Sequence, residues 1–165
     1  LNMAQLWKLP IIFVVENNKW AIGMSHDRAT SDPEIWRKAN AFGMHGEEVD
    51  GMDVLAVRGA TQRAIKRARN GDGPTLLECL TYRFRGHSLA DPDELRKEEE
   101  KNFWAKKDPL KNLENELIEK NFVKEEELRS IEKEIDKEVN ESVEFALKAE
   151  EPSSNELTRY IWAED

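Results

Sequence analysis

Two short polar segments hold the residues of this sequence that could do chemistry. In the run Glu-Asn-Asn-Lys-Trp at 16–20, the amide of Asn18 offers a hard oxygen ligand, and the backbone carbonyl of Trp20 could supply a second. Mg²⁺ takes oxygen ligands and is usually held by one or two protein groups together with phosphate oxygens. These oxygens would therefore be part of a magnesium site that a diphosphate completes. The alternative is that Asn17 and Asn18 only form a turn at a strand end.

The second segment places cationic side chains around one histidine. Arg83 and Arg85 suit a phosphate or carboxylate ligand. His87 could donate or accept a proton near neutral pH. The same residues could instead form a surface turn in which His87 contacts Asp91 or Asp93, and the spacing alone does not separate these two interpretations.

Both segments follow runs with the composition of buried strands. Residues 11–15 and 75–82 are short and largely apolar, which is typical of strands covered on both faces of a parallel sheet. Parallel α/β sheets bind ligands at the carboxyl ends of their strands. We therefore predict an α/β fold in which the two polar segments form part of one pocket.

The intervening sequence predicts the connection between these strands. A brief strand at 47–50 precedes a helix that begins at the capping residue Asp53 and ends at Asn70-Gly71, with apolar residues at helical spacing between them. Strand, helix and strand with short connections predict parallel pairing. The apolar positions expected on the buried side of the helix are Val54, Leu55, Val57, Ala60, Ala64, Ile65 and Ala68.

The remaining segments of the first part are predicted less regularly. Residues 16–30 show no clear period and are expected to form a loop. The capping-box spacing at 31–34, with Ser31 as the cap, predicts a short helix that ends near Gly43. Residues 86–108 are predicted as a long polar active-site loop, since structureless segments of that length are usually functional.

From Pro109 onward the sequence is charged and helical, so we predict two domains, 1–108 and 109–165. Five apolar residues run three to four apart on a Glu/Lys-rich helix: Leu128, Ile131, Ile135, Val139 and Val143. Such a narrow stripe indicates either a helix packed at the edge of the domain or a coiled-coil docking arm. An apolar tail follows, formed by Leu157, Tyr160, Ile161 and Trp162.

Composition limits the class of protein. The 165 residues are 36% charged and carry a formal net charge of −9, which argues against nucleic acid or an anionic membrane as the main partner. No apolar run approaches the roughly 18 residues of a membrane span. Cys79, the single cysteine, lies in a strand-like run and is expected to be a buried small hydrophobe. These features favour an intracellular protein or one in an organelle stroma.

Taken together, several runs resemble the alpha subunits of thiamine diphosphate-dependent pyruvate dehydrogenases. The runs are Asn2–Pro10, Glu16-Asn17-Asn18, Val49–Asp53, Thr81–Ser88 and Asp91-Pro92. The resemblance covers essentially all of residues 1–165. The run Arg85–Arg96 is similar to the cyanobacterial and plastid members, whereas many mitochondrial members have His where Arg85 stands.

The resemblance implies a thiamine diphosphate-binding α/β fold with a C-terminal helical extension, in an enzyme that decarboxylates pyruvate and transfers the acetyl group to a lipoyl carrier. It implies that Asn18 ligates Mg²⁺, that Trp20 lends its backbone carbonyl, and that His87 is the active-site histidine beside the diphosphate. We expect Arg83 and Arg85 to contribute to cofactor binding. Ser25 and Ser88 match positions that are phosphorylated in mitochondrial members, although the sequence does not establish that regulation here.

The departures from the family pattern also carry expectations. The family's Gly-Asp-Gly motif, with its Mg²⁺-binding Asp, precedes the Asn-Asn pair. Here Gly71-Asp72-Gly73 follows it, and we interpret this run as a plain turn. The motif would lie upstream of Leu1, which we therefore expect to be internal to a longer chain.

The glutamate that activates the cofactor belongs to the beta subunit in this family. We therefore expect the 165 residues to be inactive alone and to work in an α₂β₂ heterotetramer with that subunit. The further partner would be the lipoyl-bearing acetyltransferase component. The expected location is a cyanobacterial cytoplasm or a plastid stroma. Two alternatives remain: another 2-oxo acid dehydrogenase (branched-chain or acetoin), or a non-catalytic interaction module that docks through helices 109–150.

Overall fold

The structure is a computed structural model that describes residues 1–159, 161 and 162. Its strands are β1 (Ile12–Asn17), β2 (Trp20–Ala21), β3 (Met24–Ser25), β4 (His45–Asp50) and β5 (Thr75–Leu80). Strands β1, β5 and β4 form a sheet in that order, and β5 pairs in parallel with both neighbours. This confirms the predicted α/β fold with a parallel sheet.

The register of the sheet brings the strand ends level. Asn17 of β1 and Asp50 of β4 both lie opposite Leu80 of β5. The loops that leave the three strands therefore start from the same edge, which is where a parallel sheet presents ligand-binding residues. The sheet fixes the starting points of both polar segments identified in the sequence.

The two strands predicted to be covered on both faces differ in burial. β5 is central, and Leu76 and Leu77 are both buried. β1 lies at an edge, and Val14 is 62% exposed. The prediction is therefore correct for β5 and wrong for β1, because the described residues leave Val14 largely uncovered on its face of the sheet.

The helices are α1 (Asn2–Leu6), α2 (His26–Ala29), a 3₁₀ helix (Ile35–Phe42), α3 (Val54–Arg69), α4 (Glu98–Ala105), α5 (Pro109–Glu119), α6 (Glu125–Lys148) and a short 3₁₀ helix (Ser154–Glu156). Asp53 caps α3 as predicted, because its Oδ1 accepts hydrogen bonds from the backbone N–H groups of Leu55 (2.8 Å) and Ala56 (2.9 Å). Gly71 follows α3 at a φ of 78°, in the left-handed region that glycine favours. Gly71-Asp72-Gly73 is thus a turn between α3 and β5, as predicted.

Two loop predictions and one helix prediction require correction. The segment 16–30 contains the β2–β3 hairpin and α2, and the segment 86–108 contains α4. Three glutamates in the first turn of α4 stabilise the helix, because their negative charges lie at the positive end of its dipole. The helix predicted after the Ser31 cap begins only at Ile35 and is a 3₁₀ helix, and its N-terminus has no side-chain cap.

Two apolar clusters cover the faces of the sheet. One joins α3 to the sheet through Val49, Ala60, Ala64, Leu77 and Cys79. The other joins the 3₁₀ helix to it through Ala39, Met44 and Leu76. Burial raises the pKa of the Cys79 thiol, so this residue is the buried small hydrophobe that the sequence predicted. Val54 and Leu55 are exposed, contrary to the prediction for the buried side of α3.

By compactness the chain divides into residues 1–116 and 117–165, whereas the sequence prediction placed the boundary at 108/109. On α6, the apolar residues Ile131, Ile135, Val139 and Val143 are 51–55% exposed. The predicted apolar tail is also exposed at Leu157, Ile161 and Trp162, and Tyr160 lies outside the described residues. In the described ranges, no helix combines the length and apolarity needed to cross a membrane.

Candidate functional site

The first polar segment forms a tight turn at the end of β1. Asn17 is 6% exposed and uses both ends of its amide: Nδ2 donates to Glu78 Oε1 at 2.7 Å, and Oδ1 accepts from the Lys19 N–H at 3.1 Å. The oxygen of Asn18 accepts one long hydrogen bond, from the Trp20 N–H at 3.3 Å. An amide oxygen has two lone pairs, so Asn18 can shape the turn and still act as a ligand.

Glu78 is the residue beneath this turn that sequence reasoning missed. Its side chain is fully buried in the central strand, and Oε2 accepts from the Trp36 N–H at 2.9 Å. Together with the bond from Asn17, this joins β5 to the end of β1 and to the 3₁₀ helix. The signal was present in the sequence: one carboxylate in an otherwise apolar strand requires buried partners.

Trp20 connects the first segment to α4. Its indole Nε1 donates to Glu100 Oε1 at 2.9 Å. Trp104 of the same helix stacks on Tyr82, with ring centroids 5.3 Å apart and an interplanar angle of 5°. Helix α4, absent from the sequence prediction, therefore binds both the turn after β1 and the residues after β5.

The second polar segment holds His87 in a defined orientation. Arg83 Nη1 lies 2.6 Å from His87 Nδ1, and since arginine can only donate, Nδ1 accepts and a neutral ring carries its proton on Nε2. The backbone N–H of His87 donates to Asp91 Oδ2 at 2.7 Å. The alternative predicted from the sequence, a turn in which His87 contacts a carboxylate, is therefore found in part. The contact with Asp91 is made by the backbone N–H of His87 and not by its ring.

A buried arginine anchors the same loop. Arg96 is 7% exposed, forms an ion pair with Asp93 and donates to the backbone carbonyl of Arg83. Hydrogen bonds from the His87 and Asp93 N–H groups lower the pKa of Asp91, and the hydrogen bond from Arg96 lowers the pKa of Asp93. Both carboxylates are thus ionised at neutral pH. Sequence reasoning missed Arg96 because its partners lie in a loop that was expected to be structureless.

Four of the five predicted site residues meet around one shallow depression. Its lining includes Trp20, Arg83, Arg85, His87, Asp91 and Arg96. Asn18 does not line it, although it lies two residues before Trp20 in the turn. Gly86 permits the close fold of the loop, because a Cβ there would come within 2.9 Å of the Asp91 carbonyl oxygen.

The chemistry of this depression is that of an anion site beside one hard oxygen ligand. Its arginines suit phosphate or carboxylate groups. Among the described residues, no three His, Cys, Asp or Glu side chains cluster as a metal site. A cation bound here would therefore need Asn18, backbone carbonyls and the oxygens of a ligand.

Known proteins match this chain along most of its length. The model of the family described as "Dehydrogenase E1 component" matches residues 1–155. Pyruvate dehydrogenase E1 component subunit alpha-3, chloroplastic, of Oryza sativa subsp. japonica is 62% identical over 164 residues, which are 99% of this chain and 39% of that protein. The subunit alpha of Porphyra purpurea is 57% identical over 165 residues, which are 100% of this chain and 48% of that protein.

A bacterial relative is more distant. The pyruvate dehydrogenase E1 component subunit alpha of Rhizobium meliloti (strain 1021) is 43% identical over 157 residues, which are 94% of this chain and 45% of that protein. The chain thus spans less than half the length of these curated relatives. Their names agree with the pyruvate dehydrogenase interpretation of the sequence, and not with the branched-chain, acetoin or interaction-module alternatives.

Proposed function

The chain belongs to the dehydrogenase E1 component family, which is thiamine diphosphate-dependent, and on that premise we propose that it is the part of a pyruvate dehydrogenase alpha subunit that forms one side of the cofactor site. The complete enzyme would decarboxylate pyruvate with thiamine diphosphate and Mg²⁺ and transfer the acetyl group to a lipoyl carrier. The observation that carries this proposal is the meeting of Trp20, Arg83, Arg85 and His87 where β1 and β5 end.

The residues present fit a diphosphate with its cation. The guanidinium groups of Arg83 and Arg85 supply positive charge for phosphate oxygens. The buried Nη2 of Arg96, on the same depression, has no hydrogen-bond partner in the part of the chain that the structure describes. Asn18 Oδ1 and the Trp20 carbonyl would hold Mg²⁺, and because two oxygens are too few for its octahedral shell, the diphosphate would complete it.

The chain's own residues would orient the bound cofactor and place a ring N–H beside a reacting oxygen. Bound thiamine diphosphate supplies the electron sink for the loss of carbon dioxide. Arg83 occupies His87 Nδ1, so a neutral imidazole holds its proton on Nε2 and can donate a hydrogen bond through it to a reacting oxygen. Asp91 fixes the backbone of His87 and keeps the ring in place. The arginines hold the anionic end of the cofactor and leave the histidine to the reacting end.

The assembly we propose follows from what these residues lack. The carboxylate of Asp91 on this depression already accepts from the His87 and Asp93 N–H groups, so the carboxylate that activates the cofactor ring would come from a beta subunit in an α₂β₂ heterotetramer. The lipoyl-bearing acetyltransferase component would be the second partner. The plant and Porphyra purpurea relatives support a plastid stroma or a cyanobacterial cytoplasm as the location.

The test uses an alpha subunit that contains this chain and is as long as those of the relatives, and it is produced together with its beta subunit. Pyruvate-dependent reduction of an artificial electron acceptor is measured across a Mg²⁺ series for the parent and for Asn18→Ala. We expect the Mg²⁺ requirement of Asn18→Ala to rise at least about tenfold, because a ligand is lost. Asn40→Ala, at an exposed position of the 3₁₀ helix, is the matched control and should behave as the parent.

The other outcomes are equally informative. Turnover of a branched 2-oxo acid but not of pyruvate would keep the chemistry and change the substrate. An unchanged Mg²⁺ requirement in Asn18→Ala would remove Asn18 from the metal site. A properly assembled complex with no activity towards any 2-oxo acid would overturn the proposal.

A further inference from the structure

Glu78 poses a physical question that packing does not answer. A fully buried carboxylate is costly, and well-packed apolar side chains at such positions are often at least as stable. Its neighbours Leu77 and Cys79 are apolar and buried in the same strand. A leucine at position 78 would fit the composition of β5, so the acid requires a reason other than core formation.

The contacts of Glu78 lead to the turn after β1. Oε1 accepts from Asn17 Nδ2 at 2.7 Å, and Asn17 Oδ1 accepts from the Lys19 N–H at 3.1 Å. Each oxygen of a carboxylate can accept a hydrogen bond from one of the two donors. Unlike an amide, a carboxylate has no N–H group that would face a donor. The Asn17 amide is therefore held in one orientation, oxygen towards the turn and nitrogen towards β5. Asn18 lies within the stretch of backbone that this amide closes.

The turn itself needs such restraint. Lys19 has a φ of 69°, a left-handed conformation that non-glycine residues rarely adopt. Conformations of this kind persist where the surrounding structure over-determines them, and they cluster at functional sites. Lys19 follows Asn18 directly, so the restraint on its N–H also fixes the direction in which the Asn18 side chain leaves the backbone.

We propose that Glu78 is a positioning residue that, through Asn17, fixes the turn that presents the amide oxygen of Asn18 to a divalent cation. The inference rests on the proposed function, because it takes Asn18 to be the ligand. Glu78 does not contact the cation and is not a catalytic residue. Its bond to the Trp36 N–H anchors the carboxylate against the 3₁₀ helix, so that its other oxygen has a fixed place.

The experiment compares Glu78→Gln with the parent in the assembled enzyme. Glutamine keeps the size but has one acceptor oxygen for two donors. We expect the Mg²⁺ concentration for half-maximal activity to rise about tenfold, as is usual when a residue behind a metal ligand is changed, with kcat within about twofold at saturating Mg²⁺. Cys79→Ala is the control, since it perturbs the adjacent buried position without touching the turn.

A second readout needs neither cofactor nor turnover. Amide hydrogen exchange at Lys19 and Trp20 in the metal-free enzyme should be about tenfold faster in Glu78→Gln than in the parent or Cys79→Ala, because both N–H groups bond to side chains of the turn. Unchanged exchange at both amides would overturn the inference, whatever the activity.

Two further variants separate the possible failures. If Asn18→Ala leaves the Mg²⁺ requirement unchanged, the assignment of Asn18 as a metal ligand fails, and the inference loses its premise. If Asn18→Ala raises it but Glu78→Gln matches Cys79→Ala, only the inference fails. If Glu78→Gln does not fold, Asn17→Ala tests the inference instead. It removes the hydrogen bond between Glu78 and the turn and keeps the bond from the Trp36 N–H. A raised Mg²⁺ requirement supports the inference, and an unchanged one overturns it.

Discussion

The two loops of the candidate site start from the same edge of the sheet but are held in opposite ways. The turn that carries Asn18 rests on Glu78, a fully buried carboxylate in the central strand. The loop that carries His87 is fixed by Asp91 and by the Asp93–Arg96 ion pair, and His87 itself is exposed. One loop is secured from inside the core and the other mainly from its own residues.

This difference matches the two tasks proposed for the site. A metal ligand has to keep its place to within a fraction of an ångström, and a buried network with no competing water provides that. A histidine that exchanges protons must reach substrate and solvent, and the loop carrying it gains from contacts that can loosen. The structure thus places a fully buried carboxylate behind Asn18, whereas His87 itself is exposed and its loop is held by Asp91 and Arg96.

The largest expected effect concerns the buried support. Glu78→Ala leaves Asn17 Nδ2 and the Trp36 N–H without an acceptor, and we expect it to lower the free energy of unfolding by about 2–5 kcal/mol. Chemical denaturation of the assembled subunit measures this. In Thr75→Val, which removes a buried hydroxyl that has no partner in the described chain, the change should stay within about 1 kcal/mol. Equal losses in the two variants would contradict the stabilising role assigned to the two hydrogen bonds that Glu78 accepts.

The second prediction removes the anchor of the His87 loop. Arg96→Met loses the ion pair to Asp93 and the hydrogen bond to the Arg83 carbonyl, so amide exchange across 83–96 should rise roughly tenfold. The amide of Lys19, which belongs to the other loop, should keep its protection. Lys97→Met, at the adjacent exposed position, serves as the control. A loss of protection at Lys19 as large as in the His87 loop would show that the two supports are not independent.

Sequence reasoning was most reliable for elements whose signals are local. Helix α3 has its cap at Asp53 and its left-handed glycine at position 71 as predicted, and both signals lie within two residues of the helix. The strand β5 was predicted from a short, largely apolar run, and its parallel pairing from the order of strand, helix and strand with short connections. In each case one contiguous segment contains the physical cause.

The predictions that failed depend on partners distant in sequence. Helix α4 is held by contacts from Trp20 and Tyr82, which precede it by 80 and 22 residues, as counted from Glu100 and Trp104. The exposure of Val14 reflects how little packs on its face of β1, and a strand's own sequence does not determine that. Glu78 gains its role only when the turn after β1 and the 3₁₀ helix bring donors to it. Arg96 differs, because its partners Asp93 and Arg83 belong to its own loop.

The third prediction uses pH to release one loop. The folded chain lowers the pKa of Asp91 below its ordinary value of 3.8, because the carboxylate accepts from the His87 and Asp93 N–H groups. A lowered carboxyl pKa contributes stability that is present above the ordinary value and is lost as the pH falls through the folded value. Protection of the His87 amide, corrected for intrinsic exchange, should therefore be constant from pH 7 to about pH 5 and decline below pH 3.8.

Asp91→Asn provides the control for that experiment. It keeps the shape of the side chain but cannot ionise, so the decline should disappear and protection between about pH 5 and about pH 7 should be lower than in the parent. An NMR titration of the Asp91 carboxyl in the parent gives the same quantity directly. A carboxyl that titrates at or above 3.8 would contradict the assigned hydrogen bonds.

The smallest effect is expected where each loop adopts a left-handed backbone. Lys19 has a φ of 69° and Asp93 a φ of 54°. Lys19→Gly removes steric strain but makes the unfolded chain more flexible, so the free energy of unfolding should change by less than about 1 kcal/mol. Asp93→Gly gives the same relief of φ but deletes the carboxylate that binds Arg96 and Lys101. Amide exchange should then quicken in the His87 loop for Asp93→Gly alone. Exchange that quickens at the turn of Lys19→Gly as much as in the His87 loop of Asp93→Gly would contradict the support assigned to the Glu78–Asn17 contact.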